Sequence, residues 1–102
     1  MEIKIEWSEL SLEQLHNIYD YYALKVNPGT AKKIINKIID RVEILHINPL
    51  SGPKEELLDD MSEDFRYLVE SSYKIIYWQE YETITIASVF DCRQNPEKMK
   101  AI

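Results

Sequence analysis

FRYLVESSYKIIYWQEYETITIASVF, residues 65–90, is the stretch that decides the fold. Two polar breaks, Ser71-Ser72 and Glu80-Tyr81-Glu82, divide it into the runs Phe65–Glu70, Tyr73–Gln79 and Thr83–Phe90. Tyrosine, isoleucine, valine and threonine dominate all three, as suits side chains packed on a pleated surface. Links this short join only antiparallel neighbours, so the stretch reads as a three-stranded meander.

Working outward, the residues before it change period. Ala31, Ile34, Ile35, Ile38, Ile39, Val42 and Leu45 fall on one stripe, with lysines and acids opposite, which is a helix with one apolar side. Asn27 is suited to cap it and Pro28 to occupy its first position, and Asn48-Pro49 ends it. An earlier stripe of Leu12, Leu15, Ile18, Tyr19, Tyr22 and Val26 predicts a helix over about 9–25. Ser8 or Ser11 would cap it, and Ser11 with Gln14 has capping-box spacing. The short break at residues 27–30 makes the two helices an antiparallel hairpin. Residues 2–7, Glu-Ile-Lys-Ile-Glu-Trp, alternate like a strand. Residues 49–64 read as a loop, and a short helix is expected from Pro96. The order is β-α-α-β-β-β, an α+β fold. The helical hairpin buries its stripe on one face of an antiparallel sheet, and the first strand brings that sheet to about four strands.

A chain of 102 residues makes one domain, 1–102, and 45% hydrophobic content is enough for a core. The formal charge is −6 and unevenly placed. Glu55, Glu56, Asp59, Asp60, Glu63 and Asp64 face a single base, Lys54, across one short segment, and the rest is close to neutral. No broad basic field exists to grip nucleic acid, so tight RNA binding by the chain alone is not expected. One cysteine, Cys92, forbids an internal disulfide, and with only His16 and His46 beside it no zinc site is expected. Nothing points to a cofactor. The alternating, charged N-terminus is unlike a signal peptide, and no apolar run reaches the roughly 18 residues that span a bilayer. A soluble cytoplasmic protein with no membrane partner is expected.

Several segments, in order, resemble the RelE/ParE toxin superfamily, also called plasmid stabilisation proteins. They are Trp7 closing the first strand, Tyr19-Asp20-Tyr21-Tyr22, Asn27-Pro28 with Ala31, and Leu45 with Asn48-Pro49 and Gly52. Phe65-Arg66-Tyr67-Leu68-Val69, Tyr73-Lys74-Ile75-Ile76-Tyr77 and Val89-Phe90-Asp91-Cys92-Arg93-Gln94-Asn95-Pro96 complete the set. The resemblance, closer to ParE, implies a bacterial toxin of a type II toxin–antitoxin pair, held in a hetero-oligomer by a cognate antitoxin. It implies either a ParE-like inhibitor that binds DNA gyrase or a RelE-like endonuclease that cuts mRNA on the ribosome. A relative that has lost toxicity and only binds its antitoxin is the third alternative.

RNA cleavage needs a base at the 2′-hydroxyl, cations on the phosphate and a proton donor for the leaving oxygen. The residues available for it are Arg66 and Arg93 as phosphate holders, with Tyr77, Lys74 or Asp91 moving protons. Arg66 and Arg93 have an equally plain structural use, pairing with the acidic loop or with Asp91. Cys92 reads as a small hydrophobe. For partner binding, Tyr21 and Tyr22 on the first helix and the sheet surface near Trp78 are the anchor candidates, since aromatics bury much area with few rotors. Glu55 and Glu56 are the acids expected to attract a basic partner.

Overall fold

The computed structural model describes residues 2–102. Strand β1 (Lys4–Trp7) leads into helix α1 (Glu9–Lys25) and helix α2 (Pro28–Val42), which a 3-10 turn extends over Glu43–His46. Strands β2 (Arg66–Glu70), β3 (Tyr73–Glu80) and β4 (Thr83–Asp91) follow, with short 3-10 turns at Glu56–Leu58 and Pro96–Ala101. The four strands form one sheet in the order β1-β4-β3-β2.

The helices begin where local chemistry says they should. Asn27 caps α2, its side-chain oxygen accepting from the Thr30 N–H at 2.7 Å, and Pro28 fills the first position. Ser8, not Ser11, caps α1: its Oγ accepts from the Ser11 N–H at 3.1 Å. Ser11 is buried one turn inside, donating to the Ser8 carbonyl at 2.8 Å, so the capping box does not form. Gln14 turns to the sheet instead.

β2, β3 and β4 are an antiparallel meander, but β1 runs parallel to β4, in register Lys4↔Thr83 to Trp7↔Ile86. The sheet is therefore mixed, not wholly antiparallel. Tight turns dictate direction only between the strands they join. Between β1 and β4 the chain runs through two helices, the long 47–65 connection and strands β2 and β3, and no turn joins that pair directly.

One face of the sheet is covered by the helices and the other, in part, by the loop and tail. The helices pack Leu15, Ile18, Ile38, Val42 and Leu45 onto Leu68, Ile75, Tyr77, Ile84, Ile86 and Val89. Ile35 is partly buried on the same core, and Ile39, one step round the helix from Ile38, is 38% exposed and leaves the stripe. The opposite face carries Leu58 from the loop and Met99 from the tail against Phe65, Ile76, Ala87 and Phe90. This second layer explains why β3 and β4 read as nearly continuous apolar runs. The 49–64 segment is thus a packed layer and not only a solvated loop.

A bulge interrupts β4. Ile76 pairs with Ser88 and Tyr77 with Ile86, leaving Ala87 as the extra residue. The kink presents Ser88 and Val89 to α1. Gln14 closes that edge, donating from Nε2 to Ser88 Oγ at 3.1 Å and accepting from the Val89 N–H at 2.6 Å.

Candidate functional site

Arg66 and Tyr77 sit opposite each other on β2 and β3, and both serve the turn after α2. The Tyr77 hydroxyl donates to the Pro49 carbonyl at 2.9 Å and accepts from the Gly52 N–H at 3.0 Å. Arg66 Nη1 donates to the Gly52 carbonyl at 2.8 Å. A Cβ on Gly52 would lie 2.3 Å from the Tyr67 carbonyl oxygen, so only glycine lets the backbone approach this closely. The Pro49-x-x-Gly52 spacing is therefore a structural latch. Tyr77 is fully buried, and burial is the main cause that pushes its pKa above the ordinary value. It has neither access to a substrate nor a free proton position.

Asp91 and Arg93 lie elsewhere. Asp91 pairs with Tyr73, four residues along β3 from the Arg66 partner Tyr77, which is about 13 Å at strand rise. Arg93 donates from Nε and Nη2 to the two Asp91 carboxylate oxygens, both at 2.9 Å, and its backbone N–H adds a third bond at 2.9 Å. These bonds hold the Asp91 carboxyl below the usual carboxylate range. The four residues named for RNA cleavage are thus split into two separate structural pairs. Lys74, the other proton carrier considered, is ion-paired to Glu55 at 2.7 Å and lies over the Tyr67 ring. Cys92 is exposed and does not pack as a core hydrophobe.

The Asp91–Arg93 pair borders a cleft of about 420 Å³ between α1 and the far end of the sheet. Asn17, Tyr21 and Gln14 of α1 form one wall, and Tyr73 and Val89 form the floor. Tyr21 is 52% exposed and meets Tyr22 edge to face, ring centroids 5.0 Å apart. Tyr22 is half-buried. Tyr73 below is held protonated far above neutral pH, first by burial and then by the neighbouring Tyr22 hydroxyl. The cleft offers aromatic surface ringed by amides and a fixed ion pair. Such an arrangement can recognise a ligand by shape and hydrogen bonds, with Asp91 held ionised and Tyr73 held protonated at neutral pH.

The other anchors do not join it. Trp78 packs on the opposite face of the sheet, with Met61 and Ile102, so no single helix lies across both it and Tyr21. Glu55 is 4% exposed and held by Lys74 and the Leu57 N–H, which removes it from the surface acids, whereas Glu56 is exposed. Gln14 is the cleft residue that sequence reasoning misread. Its signal was position: it aligns with Ile18 and Tyr21 at i+4 and i+7, on the inward side of the helix.

Comparison with known proteins bears on the same architecture. A family model described as "ParE toxin of type II toxin-antitoxin system, parDE" matches residues 5–96. Among solved structures, "Chromosomal ParDE TA system from P. aeruginosa" is similar with a TM-score of 0.73 and 19% identity, covering 87% of this chain and 95% of that chain. "The structure of YoeB dimer from Staphylococcus aureus" is similar with a TM-score of 0.58, also at 19% identity and with the same coverage. At this identity the two structures establish a shared fold. No curated protein matches the chain.

Proposed function

Because the chain belongs to the ParE toxin family of type II toxin–antitoxin systems, we propose that it acts by binding DNA gyrase and not by cutting RNA. The observation that carries this reading is the engagement of the would-be nuclease residues. Tyr77 and Arg66 latch the Gly52 turn, and about 13 Å along the sheet from that latch Arg93 is chelated by Asp91. A net charge of −6 also disfavours holding an RNA strand.

A cognate antitoxin is the second partner in this reading, supported by the similarity to a ParDE system. Its apolar side would enter the cleft beside Tyr21 and Tyr22, where exposed aromatic surface is available for burial. Exposed acids of the 54–64 segment, Glu56 among them, would speed its approach more than tighten its grip. Trp78, on the other face, would contribute only if the antitoxin wraps the sheet.

Inducing the gene alone in cells tests the target. Filamentation with a DNA-damage response is expected, and the purified chain should block supercoiling by purified gyrase. Rapid arrest of translation with cut messages, and unaffected supercoiling, would replace this reading with the ribosome-dependent nuclease. Normal growth of cells that accumulate the folded chain would identify it as a relative that only binds its antitoxin.

A further inference from the structure

The sheet face turned away from the helices is only partly covered. The loop and tail lie over Ile76, Ala87 and Phe90, and toward the β3–β4 hairpin that cover stops. Register places Glu6, Thr85 and Trp78 in one row across β1, β4 and β3, and Lys4, Thr83 and Glu80 in the next. Directly paired residues share a face, so these rows make one continuous surface. It is bounded by β1, which is the edge of the sheet. The Lys4 N–H bonds inward to the Glu82 carbonyl of the hairpin turn and the Ser8 N–H to the Ile86 carbonyl of β4, so the backbone groups of Ile5 and Trp7 turn outward at that edge.

The chemistry of this surface selects an occupant. Glu2, Glu6, Glu80 and Glu82 surround it against one base, Lys4, and among the described residues none of the four is in an ion pair. Trp78 is half-buried and Tyr81 is 85% exposed beside a hollow of about 390 Å³. Tyr81 adopts a φ of 55° at the first of two hairpin residues, a conformation that favours glycine and strains a bulky side chain. Nucleic acid would be repelled by the carboxylates, and a second copy of this chain would bring the same negative charge.

We propose that this bare face docks an extended lysine- and arginine-rich segment of a protein partner. The β1 edge pairs with its backbone, the four carboxylates meet its cations, and Trp78 and Tyr81 receive its aliphatic stems. The proposal does not depend on which target the toxin arrests.

The test uses the whole chain and a short fluorescein-labelled peptide of alternating arginine and valine, read by anisotropy. Three variants separate the surface from mere net charge. The combined Glu6→Gln, Glu80→Gln, Glu82→Gln variant should weaken binding about tenfold. The charge-matched Glu13→Gln, Asp20→Asn, Asp40→Asn variant, altered at exposed positions on the helices, should bind like the parent. Tyr81→Gly should also bind more weakly while its unfolding midpoint stays equal or rises, because glycine relieves the strained φ. The proposal is overturned if the parent does not bind the peptide, if both charge variants lose affinity equally, or if Tyr81→Gly binds unchanged.

Discussion

Gly52 carries the most consequence for its size. Alanine there would drive a methyl group to 2.3 Å from a backbone carbonyl and 2.9 Å from the Tyr77 hydroxyl. Gly52→Ala should cost about 3 kcal/mol, since the crowded atoms belong to packed strands. Tyr77→Phe leaves the Gly52 N–H and the Pro49 carbonyl without their partner, at about 1–3 kcal/mol. Urea midpoints check both, and a Tyr77→Phe chain as stable as the parent would dissolve the latch. Asp91 predicts a pH effect of definite sign. Its folded pKa is depressed, so its contribution is complete above the unfolded value of about 3.9 and fades as pH falls through the folded one. Asp91→Asn should therefore lose part of the fall in thermal midpoint seen on acidification below about pH 4. Arg93→Gln should flatten the same region, and an unchanged profile in both would mean that the pair does not hold in solution.

Among the elements, α2 tests the helix-on-sheet core. Ile38 is fully buried while its neighbour Ile39 is 38% exposed. Ile38→Ala should cost about 2–5 kcal/mol and Ile39→Ala well under half of that. Equal losses in denaturant unfolding would mean that the helix face is wrongly placed. β4 shows how side chains complete what pairing leaves open. Beyond Trp7 it has no β1 neighbour, and Ser8 Oγ and Gln14 satisfy Ala87 O and Val89 N in its place. The acidic segment is fastened similarly. The Glu55–Lys74 ion pair and the Lys54↔Arg66 bridge dock it beside β2, and Leu58 enters the second core.

On the scale of the whole molecule, the two sides of the sheet present different surfaces. The helical side ends in the aromatic cleft, and the other side ends in an uncovered acidic surface. Neutralisation by the antitoxin assigned to the cleft is expected to respond unequally to mutation. Tyr21→Ala should impair rescue from toxicity in co-expression and shorten the lifetime of the purified complex. Glu56→Lys should mainly slow its formation, with the dissociation rate little changed. A Tyr21→Ala complex with unchanged lifetime would place the antitoxin elsewhere.

Both helices, the Asn27 cap and Pro28 start of α2, and the three strands of the meander followed from the sequence alone, because each depends on neighbours within a few residues. Periodicity, caps and short turns are local physics. The order β-α-α-β-β-β, and with it the resemblance to ParE toxins, followed from the same signals. The tertiary structure alone decided the rest. It set β1 parallel to β4, closed the second face with Leu58 and Met99, buried Glu55 against Lys74, and separated Arg66 from Arg93 along the sheet. Each of these joins residues far apart in the chain. No turn or period between them encodes their direction or distance, and the competition for burial and hydrogen bonds across the assembled sheet settles it.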